Sequence, residues 1–357
     1  MKLHIAGGCG EHGRNCFHVI GEHTAFLVDC GQMAGEPGGG YPRLSADDIA
    51  GIRCVFLTHS HADHTGALAW LRQQGYSGPV LASQHTLDQL PFSVKNGFAL
   101  EDICPRGEGS FLGIRIHWGR TGHCVGSVWY QFDVEERSLL FSGDYTEDTR
   151  VFACDPLREK RADLAILDCA YGRNASTYAA CCEKMLKRVR QLQETYPLLV
   201  FPIPKFGRGT EILRLFLDSS MVGPYYGDAH FCKELAKSDA YAPWYKPGTH
   251  ISSEVVLPYT GMEKIGIVFL SNPQLRTEYT RTLAQKALTH GGFAVMTGTA
   301  EQGTFSAELL EQGSMEMIRY PVHLGYSQYQ QLISKNAFSK TIPYHSVDFN
   351  SETTIYF

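Results

Sequence analysis

The stretch Leu57-Thr58-His59-Ser60-His61-Ala62-Asp63-His64-Thr65-Gly66-Ala67 decides the reading of this 357-residue chain. Three imidazoles and a carboxylate stand between positions 59 and 64, directly after Cys54-Val55-Phe56-Leu57, an apolar β-rich run that reads as a buried strand ending at the cluster. A solvated surface has no use for such a concentration of donors. Alternate residues leaving a strand share a side, so His59 and His61 point the same way, while Asp63 and His64 fall on the following turn and the first helical residues. Two pairs of donors then face two neighbouring cation positions. Imidazole nitrogen and carboxylate oxygen without thiolate suit Zn²⁺ or another borderline first-row metal.

Two more strand ends carry matching chemistry. In Thr121-Gly122-His123-Cys124-Val125-Gly126 a histidine lies between glycines on a loop feeding the strand Val128 to Phe132, which fits a further ligand presented from a second edge of the site. The run Ser138-Leu139-Leu140-Phe141-Ser142-Gly143-Asp144 is an apolar strand ending in Gly-Asp, and a carboxylate so placed can bridge two cations. His117 lacks this setting, and His4, His12, His18 and His23 read as structural or exposed.

Composition limits the partners. The chain is 43% hydrophobic and 19% charged with a net charge of −5, enough apolar content for one large core or two moderate ones and no support for a broad basic surface. No run of about 18 apolar residues offers a membrane span, and the N-terminus is too glycine-rich for a signal peptide, so a cytoplasmic protein with no membrane association is expected. Eleven scattered cysteines, an odd number, read as reduced core thiols. The glycine run Met33 to Gly40 has no phosphate-loop spacing.

Thr58 to Gly66 resembles the H-x-H-x-D-H signature of the metallo-β-lactamase fold superfamily. On that resemblance Asp29, ending an early strand, braces the metal-site loop, His123 is the third-motif histidine and Asp144 the fourth-motif carboxylate. These motifs are shared by hydrolases of many substrates and do not choose among them. Further on, Asp163-Leu164-Ala165-Ile166-Leu167-Asp168-Cys169-Ala170-Tyr171-Gly172 resembles motif A of the β-CASP nucleases, with Asp168 as its acid and Cys169-Ala170 where Ser-Thr is usual. Leu198 to Leu213, through Gly207-Arg208 and Glu211, resembles the segment that opens the β-CASP insertion, and Lys205 and Arg208 beside a helix start are read as substrate-binding cations for a phosphate or carboxylate. Gly292 to Thr299 resembles the return to the main body, and Lys340 to Ser346 resembles motif C, ending in His345. Tyr320 to Leu332 resembles motif B, where counting back from Leu332 puts Tyr326 at the histidine's position and leaves His323 three residues out of register.

The resemblance implies an α/β architecture: an αββα metallo-β-lactamase sandwich from residues 1–172 and 291–357, with a small β-CASP-like α/β domain inserted at 173–290. It implies two divalent ions, zinc with manganese as the alternative: one on His59, His61 and His123, one on Asp63, His64 and His345, with Asp144 bridging. A hydroxide shared by the ions would attack a phosphorus or carbonyl centre. Asp63, Asp144, Asp168 and Tyr326 form the expected catalytic set, Asp168 orienting an imidazole or managing a proton and Tyr326 contacting the leaving or non-bridging oxygen. The expected substrate is RNA or single-stranded DNA, and a homodimer is compatible with the sequence. A hydrolase of a small phosphodiester, nucleotide or ester is the alternative, favoured by the acidic balance and short insertion. A weakly active binding subunit is the second alternative.

Overall fold

The computed structural model describes residues 1–33 and 35–357; residue 34, in the glycine-rich stretch Met33 to Gly40, lies outside the described residues. The chain forms two compact units, one of residues 1–147, 154–175 and 322–357, the other of 148–153 and 176–321.

The first unit is a two-sheet sandwich. One sheet has seven strands, in the order Thr354–Tyr356, Lys2–Gly7, Cys16–Ile20, Ala25–Val28, Cys54–Phe56, Val80–Ala82 and Gly97–Ala99. The other has six: Ala337–Tyr344, Arg161–Asp168, Arg137–Phe141, Val128–Val134, Ile114–Arg120 and Glu108–Phe111. Alternation along each strand sends every second side chain to the space between the sheets. Phe17 and Phe26 of the first sheet meet Phe141 and Phe132 of the second at 5.8 and 5.0 Å between ring centroids, and Phe56 meets Tyr130 at 5.8 Å. The intervening positions face outward and are covered by helices. Leu27 and Val55 pack with Ile49 of the helix Ala46–Gly51 and with Leu68 and Leu71 of the helix Leu68–Gln73. Leu140, Ala165 and Leu167 of the second sheet pack with Tyr329 and Leu332 of the helix Tyr326–Ser334. This is the αββα layering that the resemblance implies.

The second unit is a doubly covered parallel sheet in the order Val256–Pro258, Tyr225–Gly227, Gly266–Leu270, Leu198–Pro202, Phe293–Met296 and Met315–Met317. Its central strands are buried along their whole length, as strands covered on both faces are. Leu283, Ala284 and Ala287 of the helix Glu278–Thr289 pack on one face, and Phe216 and Phe231 meet Phe201 and Phe269 on the other. The return expected at residue 291 needs correction. Phe293–Met296 pairs in register with Leu199 and Val200, and Met315–Met317 pairs with it in turn, so residues 291–321 complete the inserted sheet and the chain rejoins the sandwich at Val322. An apolar strand followed by Gly-Thr reads alike in either sheet, so the sequence alone does not place this boundary.

Among the described residues no disulfide joins any of the eleven cysteines. Among the described residues no helix is long and apolar enough to cross a membrane.

Candidate metal centre

The strands that make the sandwich end their C-terminal edges around one point of the first unit. Cys54–Phe56 delivers His59 and His61, the short helix Ala62–Thr65 carries Asp63 and His64, the turn after Ile114–Arg120 carries His123, and Arg137–Phe141 and Ala337–Tyr344 are followed by Asp144 and His345. His345 adopts a left-handed backbone, φ 67°, unusual for a side chain of its size and of the kind found where a site imposes conformation.

The expected ligands form two groups that share Asp144, and Asp144 and His345 also stand in a third group with Asp168 and His323. In the first, His59 Nε2 lies 3.1 Å from His61 Nδ1, and His123 Nε2 lies 3.3 Å from the same atom. Asp144 Oδ2 faces this group, 3.5 Å from His59 Nε2 and 3.6 Å from His123 Nε2. In the second, Asp63 Oδ2 lies 3.0 Å from His345 Nε2, while Asp144 Oδ1 lies 3.2 Å from both His64 Nε2 and His345 Nδ1. The two carboxylate oxygens of one buried aspartate therefore divide between two donor sets.

Neighbouring groups hold these rings in orientation. Asp29 Oδ2 is 2.7 Å from His64 Nδ1, and Asp29 is itself fixed by the Thr58 N–H at 2.7 Å and the Thr58 hydroxyl at 2.8 Å. His123 donates from Nδ1 to the Val322 carbonyl at 3.0 Å. Such partners fix which ring nitrogen is left for a cation.

The electrostatics fit a cation. Burial pushes His59 and His123 well below the ordinary imidazole range, so both are neutral donors. Burial opposes ionisation of Asp144 as well, but His64, His345, His323 and His59 around it hold it well below the usual carboxylate range. For His345, burial works downward, yet Asp144 and Asp63 push it up to about 10. A buried carboxylate group that raises its imidazoles in this way attracts positive charge, and a divalent ion satisfies the same field while displacing the protons.

Asp168 lies beside the second group. It accepts the Tyr145 N–H on Oδ2 and the Ala170 N–H on Oδ1, both at 2.9 Å, and burial together with Asp144 pushes it up to about 7. The imidazole against it is His323, with Nδ1 at 3.1 Å, and the His323 ring also packs on the rings of His123, Tyr171 and His345 at 4.7, 5.3 and 5.3 Å. Tyr326 is elsewhere. It starts the helix Tyr326–Ser334, and its ring stacks on Tyr329 and Phe349. The structure brings His323 rather than Tyr326 to the donors: His323 reaches them from the loop ahead of the helix, three residues before the position given by the count back from Leu332.

Sequence reasoning also passed over His12, whose ring stacks on His345 at 4.4 Å and whose Nδ1 is 2.7 Å from the His345 carbonyl oxygen. Its place after a glycine-rich turn carried no signal beyond proximity to the first strand. Lys205 and Arg208 belong to the second unit, in the turn after Leu198–Pro202 and at the first residue of the helix Arg208–Asp218. Arg208 passes so close to Gly298 that a Cβ there would lie 2.4 Å from its Nη1.

Comparison with known proteins accords with this geometry. A family model described as the metallo-beta-lactamase superfamily matches residues 9–188. The transcription termination factor FttA of Methanosarcina mazei is 27% identical over 62% of this chain and 40% of its own length. The ribonuclease TTHA0252 of Thermus thermophilus is 28% identical over 62% of this chain and 59% of its own. An RNase J-like protein of Methanocaldococcus jannaschii is 23% identical over 89% of this chain and 81% of its own. The chain spans about two-fifths of the length of the FttA proteins it matches. A solved structure of a protein of unknown function from Enterococcus faecalis V583 superposes with a TM-score of 0.58 at 12% identity, covering 97% of this chain and 94% of that one, which is a likeness of fold. With half of its length under the family model and its strand ends converging on two clustered donor sets, the chain belongs to the metallo-β-lactamase superfamily and has the equipment of a metal-dependent hydrolase.

Proposed function

We propose that this protein is a dinuclear metal-dependent phosphodiesterase that cleaves RNA or single-stranded DNA. His59, His61 and His123 hold one divalent ion, Asp63, His64 and His345 the other, and Asp144 both. The observation that carries the reading is the division of the Asp144 oxygens between the two donor sets. Nitrogen and carboxylate donors without thiolate favour zinc, with manganese as the alternative. Nucleic acid as substrate rests on the relatives, among them a ribonuclease and an RNase J-like protein.

Bound divalent ions supply Lewis acidity to a phosphoryl oxygen and make water a competent nucleophile near neutral pH. The chain's own residues do the rest. Asp29 and the Val322 carbonyl keep His64 and His123 turned toward the centre. Asp168 holds the His323 ring by Nδ1, and His323 delivers a proton to the leaving oxygen, where the motif B count expects Tyr326 only to contact the leaving or non-bridging oxygen. An imidazole serves this step at neutral pH better than a phenol, whose pKa is about 10. Lys205 and Arg208 contact backbone phosphates of the polynucleotide.

The test is metal content by mass spectrometry alongside cleavage of labelled single-stranded RNA, single-stranded DNA and bis-p-nitrophenyl phosphate, for wild type and His59→Ala. Polynucleotide cleavage that is lost in His59→Ala supports the reading. Turnover of the small diester alone replaces it with a small-substrate hydrolase, and failure to bind metal overturns both.

A further inference from the structure

Outside the hydrolytic centre, one other group of side chains brings metal-ligating atoms together among the described residues: His4, His18 and Asp48, whose donor atoms all lie within 4.8 Å of one another. We propose that these three residues form an additional metal site, sharing no donor with the hydrolytic centre, for a borderline divalent cation such as Zn²⁺.

The placement follows from strand register. His4 and His18 are directly opposite each other in the antiparallel pair Lys2–Gly7 and Cys16–Ile20, so their side chains leave the same face of the sheet. Phe17, one residue along, points into the inter-sheet core against Phe141. His18 therefore points to the opposite face, the one covered by the helix Ala46–Gly51, as does its other cross-strand neighbour Leu27. That helix supplies Asp48. One oxygen of Asp48 is committed to the helix start, where Oδ2 accepts the Ser45 N–H at 2.9 Å and the Ser45 hydroxyl at 2.6 Å. The other, Oδ1, is left 3.5 Å from His18 Nδ1.

The second observation is His18 itself. It is 2% exposed, yet neither of its ring nitrogens makes a hydrogen bond. A buried imidazole with both nitrogens unsatisfied is costly, and this one faces a fixed carboxylate oxygen and a second imidazole. Burial also keeps the ring neutral, pushing it down to about 4, so a lone pair is available. Tetrahedral bonds of about 2.0–2.1 Å place donors roughly 3.3 Å apart, close to the observed 3.5 Å between His18 and Asp48. Two imidazoles and one carboxylate leave a fourth position open, and His4 is only half-buried, so a cation can enter from solvent. The cation would clamp the first hairpin to the helix that covers it.

The experiment titrates Zn²⁺ into the chelator-stripped 357-residue chain and counts bound ions, for wild type, His4→Gln and Asp48→Asn. The amide oxygen introduced by Asp48→Asn can still cap the helix, which keeps that variant folded. The expected result is one equivalent fewer in each variant, with diester hydrolysis and circular dichroism unchanged. The cobalt-loaded wild type would also show a visible absorption component that both variants lose. Equal stoichiometry in all three proteins overturns the site. So does a loss of hydrolysis in step with the lost equivalent, because the ion would then belong to the hydrolytic centre.

Discussion

His323 Nδ1 lies 3.1 Å from Asp168 Oδ2, and the same oxygen accepts the Tyr145 N–H at 2.9 Å. The carboxylate is thus held from the backbone and in turn holds the ring, which leaves His323 little freedom beside the metal donors. Replacing His323 by Ala is expected to lower kcat by roughly 10²–10³ while both metal equivalents stay bound. Tyr326→Phe, which removes a hydroxyl from a ring stacked on Phe349, should leave kcat unchanged. Steady-state kinetics with metal analysis decides between them, and the reverse pattern would return the contact with the leaving oxygen to Tyr326.

Asp29 acts on the centre through His64. Its Oδ2 fixes His64 Nδ1 at 2.7 Å, and an amide in its place loses the charge that favours the ligating tautomer. Asp29→Asn should weaken metal affinity about 10- to 100-fold, measured by competition with a chromophoric chelator. Unchanged affinity would mean that Thr58 and the strand end suffice to orient the ring.

Glu211, 1% exposed, organises the second unit. Oε1 accepts the Val151 N–H at 2.7 Å and the Thr149 hydroxyl at 2.6 Å, while Oε2 accepts the Arg150 N–H at 2.8 Å and the Tyr320 hydroxyl at 3.0 Å. Glu211→Ala leaves these donors without their acceptor and should cost about 3 kcal/mol in urea unfolding. A loss below about 0.5 kcal/mol, the range of ordinary surface changes, would show that the segment 148–153 finds other partners.

Glu234 gives a pH signature. Burial pushes its carboxyl up to about 7 from an ordinary 4.5, against the Phe206 N–H at 2.8 Å that favours the ionised form. Because the folded value exceeds the unfolded one, the native state keeps a proton that the unfolded state has lost. Stability therefore falls as pH rises from about 4.5 to about 7, by up to about 3 kcal/mol. Glu234→Gln should flatten that part of the melting-temperature profile. A profile of the same slope in the variant would place the titration elsewhere.

The hydrolytic centre was legible because its donors sit at strand ends, where an apolar run stopping at His, Asp or Gly-Asp is visible in one sequence. The spacing of His59, His61, Asp63 and His64 even orders the two donor groups. Residues delivered by irregular backbone or by distant pairing were not legible. His323 approaches through the loop ahead of the helix that starts at Tyr326, and a motif count back from Leu332 does not show which residue of that loop turns toward the donors. The pairing of His4 with His18 depends on hairpin register, and Asp48 joins them only because a helix folds back over the sheet. The boundary at residue 322 depended on which of two sheets would take the strand Phe293–Met296, a choice made by packing partners far away in the chain.

The donor sets also differ in when they exist. Asp144 and His345 are 201 residues apart, and at about 5–20 residues per second a ribosome needs roughly 10–40 s to make the chain between them. During that interval His59, His61, His123 and Asp144 have all been synthesised, whereas the second group still lacks a ligand. The first donor set is therefore complete in the chain before the second, while the sheet beside Asp144 and the Val322 carbonyl that holds His123 both wait for the last part of the chain.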